Sequence, residues 1–249
     1  MRSVLLNFGP QHPAAHGILK IGLALSGEIV TRADATFGLL HRGSEKLCEA
    51  RTLSQAVPYL DRMDYVANLI QEHALVAAVE GVDTTRRVTA SLASFRVMCD
   101  ELSRVLNHLL TMSAICLDLG SMGPVFWAFE ERELIMTVFE YLSGARMHTA
   151  LYRPFSLGCG VDVGVVTPAV LNLVQRGARV INGAFVTLLS NRAFKSRASH
   201  IGAFSPLKIK AYGVSGVIAR ASGVCVDARL GLGAPSYASY PTTSLRTFL

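Results

Sequence analysis

The sequence TASLASFRVMCDELSRVLNHLLTMSAICLD at residues 89–118 carries the longest periodic pattern in the chain. Its apolar residues recur at the spacing of one helix face, which predicts a long amphipathic helix. These residues are Leu92, Phe95, Val97, Met98, Leu102, Val105, Leu106, Leu109 and Leu110. Gly120 and the pair Gly123-Pro124 follow, and they are predicted to end this helix.

Helical patterns extend on both sides of this segment, beginning near Arg42. Further helices are predicted for Tyr65 to Glu80, Phe126 to Ser143 and Pro168 to Leu189. Pro168 falls in a first turn, where proline is tolerated. Together with residues 89–118, these segments suit an antiparallel helical bundle.

The first forty residues have a different pattern, which favours short strands. Strands are predicted at Val4 to Leu6, Leu19 to Leu25 and Glu28 to Ala33, and prolines 10 and 13 place the intervening residues in a loop. The predicted fold class is therefore α+β, mainly α, with a small N-terminal antiparallel sheet followed by a helical bundle. We expect a β region at 1–40, a helical core at 41–190 and an irregular C-terminal region and tail at 191–249.

The composition of the 249 residues excludes several classes of protein. They are 51% hydrophobic and 17% charged, but polar residues such as Gln71, Glu72 and His73 interrupt the apolar runs, so no transmembrane span is expected. The net charge of +6 comes from scattered residues, which argues against nucleic-acid binding. No C-x-x-C pair is present, and no targeting segment is recognisable at the N-terminus.

Three strings concentrate polar side chains in this apolar chain: NFGPQHPAAHG at 7–17, LHRGSEK at 40–46 and PYLDRMDY at 58–65. Such side chains are costly to bury unless they are paired, so the strings indicate a polar site. His12 and His16 have the spacing of metal ligands on a helix, but Pro13 opposes a helix there. No metal site is therefore expected.

These strings, with LDLG at 117–120, FEERE at 129–133 and SGARMH at 143–148, resemble the quinone-binding 49 kDa subunit (NADH dehydrogenase subunit 7) of respiratory complex I. That family is related to the large subunit of nickel–iron hydrogenases, so the resemblance implies a hydrogenase-large-subunit-like fold. It also implies a core subunit of the proton-pumping NADH:ubiquinone oxidoreductase, with ubiquinone as substrate. The electrons would come from a [4Fe-4S] cluster in a neighbouring iron–sulfur subunit, and this chain would bind no cofactor alone.

The resemblance also implies roles for individual residues. Tyr65, His16 and Asp118 match the residues at the quinone headgroup, where hydrogen-bond donors are needed to reduce two carbonyl oxygens. His12 and Gly17 match the loop that supports this site, while Arg42, Arg62 and His148 match positions facing the cluster. From the residues alone, each of these side chains also fits an ordinary structural role, such as an ion pair with Glu45 or Asp61.

The implied partners are the other peripheral-arm and membrane subunits of complex I. The implied location is the matrix side of the mitochondrial inner membrane, or the cytoplasmic face of the plasma membrane in bacteria. Residues 231–249 do not look like the family's continuation, and Phe155-Ser156 stands where the family usually has a glycine pair. We therefore expect a split subunit whose C-terminal part is a separate chain.

Two alternatives to this interpretation remain. The first is a non-catalytic scaffold or relic subunit in the same complex. The second is a hydrogenase catalytic subunit, but its metal-binding cysteine pairs are absent, since the nearest cysteines, Cys99 and Cys116, are 17 positions apart.

Overall fold

The computed structural model describes residues 3–12, 18–83, 85–158, 163–224, 229 and 237. A three-stranded antiparallel sheet opens the chain, formed by β1 (Ser3–Phe8), β2 (Lys20–Ser26) and β3 (Ile29–Thr36) in that order. Leu5 pairs with Ala24, and Leu23 pairs with Ala33. The predicted N-terminal antiparallel sheet is thus confirmed, and its first and third strands extend beyond the predicted ends.

The other regular structure of the described residues is helical apart from one small hairpin, as the predicted α+β, mainly α class requires. The first five helices are α1 (Ser44–Glu49), α2 (Leu53–Asp61), α3 (Asn68–Val82), α4 (Ala90–Asp118) and α5 (Gly123–Ser143). The hairpin consists of β4 (Tyr152–Arg153) and β5 (Ser156–Leu157). The last helices are α6 (Val163–Ser190), α7 (Arg192–Ala198), α8 (Pro206–Ala211) and α9 (Gly216–Ala221).

The hydrophobic core lies where α3, α4, α5 and α6 pack in sequence order. The predicted apolar stripe of α4 supplies four of its buried side chains, namely Phe95, Leu102, Leu106 and Leu109, and α4 adds Cys99, which was not part of that prediction. Phe139 and Leu142 on α5 face this stripe and are almost completely inaccessible to solvent. Burying side chains of this size contributes about 1.5–3 kcal/mol each, so the α4–α5 interface is a main source of stability.

The ends of the central helices follow from local chemistry. Thr89 precedes α4, and its side-chain oxygen accepts a hydrogen bond from the backbone N–H of Leu92 at 3.3 Å. Gly144 ends α5 with a φ of 77°, a left-handed conformation that glycine adopts without a Cβ penalty. Pro124 does not end α4 as predicted, because it lies in the first turn of α5, where its missing N–H is not needed.

The chain after α5 differs most from the prediction. Helix α6 begins at Val163, so Pro168 lies inside the helix rather than at its start. Residues 192–221, predicted to be irregular, contain the three short helices α7 to α9. Two of them begin at side-chain caps: Asn191 accepts from the N–H groups of Ala193 and Phe194, and Ser205 precedes a proline at the first position of α8. The predicted tail at 231–249 lies outside the described residues, except for Tyr237.

The β4–β5 hairpin contains the departure noted in the sequence. Phe155 has a φ of 58°, a conformation that is costly for a residue with a Cβ and free for glycine. Its backbone N–H donates a hydrogen bond to Glu80 at 2.6 Å. A contact with α3 therefore holds the residue that stands in place of the glycine pair.

Candidate functional site

A cavity of about 900 Å³ opens between the N-terminal sheet region and the α4–α5 pair. Its walls are mostly apolar and include Leu110, Leu117 and Phe129, and its polar lining includes His12 and Tyr65. A largely apolar cavity of this size with a few convergent polar groups is typical of sites for small molecules. The cavity therefore suits a mostly apolar ligand that carries a polar group.

Short local contacts hold the polar residues of this cavity in place. Tyr65 is half-buried in the turn between α2 and α3, close to the hydrogen bond from Ala67 N–H to the Asp64 carbonyl. The ring of His12 lies 4.1 Å from the ring of Phe8, measured between centroids. The tyrosine hydroxyl and the imidazole are both able to donate a hydrogen bond, so the cavity offers donors from two separate segments.

Three of the predicted headgroup and loop residues cannot be joined to this cavity. His16 and Gly17 lie outside the described residues. Asp118 is exposed at the last position of α4, one residue after Leu117, and it is not itself part of the cavity lining. The predicted pairing of His16 with Asp118 stays a prediction.

A second, more polar cavity of about 400 Å³ adjoins the first and shares Tyr65, Leu40 and Arg42 with it. The segment 40–46 and Arg62 form much of its wall. Because this segment also carries Lys46, the lining is rich in positive charge and is suited to face an anionic or electron-rich partner. Arg42 and Arg62, both predicted to face a cluster, are thus brought to one cavity.

His148, the third residue of that predicted group, meets Arg62 through a shared carboxylate. Asp61 is completely buried, and its Oδ2 lies 3.2 Å from His148 Nδ1 and 4.0 Å from Arg62 Nη1. Arg62 also donates to the Pro58 carbonyl at 3.0 Å. The contacts with Asp61 that the sequence left open as a structural role are therefore present, and they tie both side chains to the end of α2.

A second buried carboxyl group, Glu72 on α3, stands next to Asp61. Its oxygens accept hydrogen bonds from the Thr149 hydroxyl at 3.2 Å and from the Tyr152 N–H at 3.0 Å. Burial, followed by the nearby Asp61 charge, raises the pKa of Glu72 to about 8 despite these bonds. Burial likewise raises the pKa of Asp61, although Glu72, His148 and Arg62 oppose that shift.

The neighbouring residues extend this buried polar network towards α4. His73 Nδ1 lies 2.5 Å from Asp100 Oδ2, and the Tyr152 hydroxyl donates to Asp100 Oδ1 at 3.0 Å. Burial raises the pKa of Asp100, while its bond with His73 acts in the opposite direction. Beyond it, Arg96 donates two hydrogen bonds of 2.8 Å to Glu80. The hydrogen bonds of this network join α3, α4 and the segment after α5, whereas both Asp61 oxygens and Arg96 Nε have no hydrogen-bond partner among the described residues.

The sequence analysis missed this network as a candidate site. Its available signal was the polar triplet Gln71, Glu72 and His73 within the apolar run of α3, which we used only against a membrane span. Both residues that donate hydrogen bonds to Glu72, Thr149 and Tyr152, are about 80 positions away along the chain. A local sequence pattern cannot predict a hydrogen bond between residues so far apart in the chain.

The described residues also bear on metal binding and on membrane insertion. In that part of the chain, no group of three or more histidine, cysteine or acidic side chains is arranged to hold a metal ion. Nor does it contain a helix of the length and apolar character needed to cross a membrane.

Comparison with known proteins extends over the whole sequence. The model of the family described as "Respiratory-chain NADH dehydrogenase, 49 Kd subunit" matches residues 118–246, just over half of the chain. The 49 kDa subunit of NADH-ubiquinone oxidoreductase from Paramecium tetraurelia is 41% identical over 249 residues, 100% of this chain and 62% of that relative. A subunit of the NADH-quinone oxidoreductase from Roseobacter denitrificans is 46% identical over 236 residues, 92% of this chain and 56% of the relative.

A plant relative shows the same coverage: NADH dehydrogenase [ubiquinone] iron-sulfur protein 2 of Arabidopsis thaliana is 43% identical over 229 residues, 92% of this chain and 58% of the relative. The chain thus spans about 56–62% of the length of these relatives. The matches also reach residue 246 and, in the Paramecium protein, cover the whole chain, so the expectation that residues 231–249 depart from the family was wrong. The chain belongs to the family of the 49 kDa subunit of the respiratory-chain NADH dehydrogenase.

Proposed function

We propose that this chain forms, with a neighbouring iron–sulfur subunit, the cavity in which NADH:ubiquinone oxidoreductase reduces ubiquinone, coupled to proton pumping. The observation that carries the proposal is the 900 Å³ cavity, whose apolar walls suit an isoprenoid chain and whose polar lining includes Tyr65 and His12. Family membership supplies the reaction, since relatives are named as NADH-quinone oxidoreductase subunits.

In this proposal, the residues divide between binding the headgroup and facing the electron donor. The Tyr65 hydroxyl donates a hydrogen bond to one quinone carbonyl, and His16 with Asp118 serves the other. His12 and Gly17 hold the loop on which His16 lies. Reduction to the quinol takes two electrons and two protons, so donors placed at both oxygens lower the barrier to proton transfer.

The electron donor in this proposal is a [4Fe-4S] cluster bound by the neighbouring subunit. Arg42, Arg62 and His148 face that cluster, where positive charge stabilises its reduced form. The polar second cavity, which adjoins the first at Tyr65 and Arg42, supports this division. The complex would lie at the inner mitochondrial membrane with this chain on the matrix side, or at the cytoplasmic face of a bacterial plasma membrane.

The test is a Tyr65→Phe variant in the assembled complex, which removes one hydroxyl and keeps the ring. We expect quinone reductase kcat to fall about 100-fold or more, because a positioned proton donor contributes about 10²–10⁴-fold. NADH oxidation by an artificial acceptor that bypasses the quinone site should be unchanged. Tyr59→Phe is the matched control, since Tyr59 is also half-buried and lies six positions away outside both cavity linings.

An assembled Tyr65→Phe complex with an unaltered rate of quinone reduction would contradict the proposal. Mass spectrometry of native-gel bands then separates the alternatives. A band that contains this chain together with an intact, full-length homologue supports the scaffold or relic subunit instead. The expectation of a separate chain for the family's remaining region stays a prediction, which the same spectra test directly.

A further inference from the structure

We propose that Asp61 and Glu72 form a buried acid–carboxylate pair that holds one shared proton next to His148, and that this proton can pass through Asp61 to the imidazole. The inference deepens the proposed function and rests on it for the position of His148 near the electron donor. Neither carboxyl group lines the larger cavity or the adjoining polar one.

The first argument is the way in which the two carboxyl groups are paired. Asp61 is 0% exposed, and neither of its side-chain oxygens receives a hydrogen bond from an N–H or hydroxyl donor of the described residues. His148 lies 3.2 Å from Asp61, and the next residue, Thr149, donates to Glu72, so the two buried carboxyl groups are neighbours. Two ionised carboxylates side by side in a buried position repel each other, and a proton on one of the two removes this repulsion.

The second argument is the balance of charge around the pair. On α2, Arg62 lies 4.0 Å from Asp61 but is half exposed, which weakens its attraction. On the segment after α5, His148 lies 3.2 Å from Asp61, and Thr149 contributes only a hydroxyl. Next to Glu72 on α3, His73 is already paired with Asp100 of α4. The surroundings therefore lack the buried positive charge that two ionised carboxylates would need.

The geometry also gives the shared proton a route. The shared proton first moves from a Glu72 oxygen to Asp61. From Asp61 Oδ2 it then moves to an unprotonated His148 Nδ1, which lies 3.2 Å away. The pair then carries two negative charges and the imidazole one positive charge, so the net charge of the group is unchanged. His148 is 29% exposed, whereas Asp61 is fully buried, so the imidazole is the contact of this group with the surface.

The experiment measures the midpoint potential of the terminal cluster against pH in the assembled complex, with Glu72→Gln as the main variant. Glutamine has the shape of the protonated glutamate and no charge. The variant should therefore follow the wild type at neutral pH and depart from it only above about pH 8, where Glu72 loses its proton. If both carboxylates are instead ionised at neutral pH, the variant lacks one charge there and its potential differs throughout.

A second variant tests the contact with the imidazole. Asp61→Asn removes the carboxyl group 3.2 Å from His148 Nδ1 and with it the proposed proton route. The break in the curve of potential against pH should therefore move. Glu28→Gln is the control, because Glu28 is exposed at the β2–β3 turn and lines neither cavity. An unmoved break in Asp61→Asn, with a shift in His148→Ala, overturns the proposed route.

An infrared measurement keeps this inference separate from the proposed function. A protonated carboxyl group gives a C=O stretching band that shifts in ²H₂O, and this band should be lost in Glu72→Gln and retained in Glu28→Gln. If the band is lost but His148→Ala leaves the cluster potential unchanged, the carboxyl pair stands and the placement of His148 near the cluster fails. If no such band is lost, the shared proton is absent and the inference is wrong.

Discussion

Replacing Glu80 with alanine should destabilise this chain more than any exposed glutamate replacement, because Glu80 neutralises a buried arginine. Arg96 is 1% exposed and donates to both Glu80 oxygens at 2.8 Å. Burial alone would raise the pKa of Glu80, but the bonds from Arg96 and from the Phe155 N–H lower it below its usual value. The carboxylate is therefore ionised at neutral pH, and the pair joins α3, α4 and the β4–β5 hairpin.

The size of the effect follows from what the alanine leaves behind. The guanidinium of Arg96 keeps its bond to the Arg153 carbonyl at 2.9 Å but loses its counter-charge in a dry environment. Removing one partner of a buried ion pair costs about 3–5 kcal/mol. Phe155, at a φ of 58°, also loses the acceptor that holds it in this conformation. Glu80→Gln should fall between the wild type and Glu80→Ala, because the amide oxygen still accepts.

The assay is the thermal inactivation half-life of the purified complex, together with the yield of assembled complex on native gels. We expect the order wild type, Glu80→Gln, Glu80→Ala, from most to least stable, with Glu28→Ala equal to the wild type. Glu28 is exposed at the β2–β3 turn, where substitutions change stability by about 0.5 kcal/mol or less. A Glu80→Ala complex that assembles fully and is inactivated at the wild-type rate would refute the reasoning.

Two further predictions concern a backbone turn and the dependence of stability on pH. Gly9→Ala should reduce assembly, because Gly9 has a φ of 86° and an added Cβ would collide with the Leu19 carbonyl. Gly27→Ala is the control and should have a milder effect, because Gly27 has a φ of 66° but open space around it. Equal yields of assembled complex for the two variants on native gels would contradict this prediction. Glu72, with its pKa raised to about 8, binds its proton more tightly when folded. Its contribution to stability is complete below about pH 4.5 and is lost as the pH rises to about 8. Glu72→Gln should therefore gain stability relative to the wild type over this range, and a difference in inactivation rate that stays constant with pH would oppose this sign.

Local chemistry accounts for the parts of the fold that could be predicted. The helix at residues 89–118 was predicted within one residue of α4, because a 3.6-residue apolar period and a terminal glycine agree. The structure adds the cap at Thr89, which the prediction did not use. The short helix α8 was missed even though Ser205-Pro206 is a good start signal, because its single turn is too short to show a period. Elements long enough to show an apolar period were thus the predictable ones.

For the candidate site, less could be predicted from the sequence than for the fold. The motif strings predicted that Tyr65, Arg42 and Arg62 belong to a polar site, and the structure places all three on adjoining cavities. Glu72 was not predicted, because its partners Thr149 and Tyr152 come from a segment that only the packing of α5 brings close. When a buried side chain is hydrogen-bonded to residues about 80 positions away, the local sequence shows only one sign of it. That sign is a polar residue at a helix position where the apolar period predicts an apolar one.

The wall between the two cavities carries an evolutionary consequence. Tyr65, Leu40 and Arg42 line both cavities, so one substitution at any of them alters the walls of two cavities together. We therefore expect substitutions at these three positions to be limited by the shapes of both cavities. Substitutions at Leu110 or Phe129 change only the larger cavity. We therefore expect substitutions that fit the larger cavity to a bulkier or slimmer ligand to occur on α4 and α5, where they leave the smaller cavity unchanged.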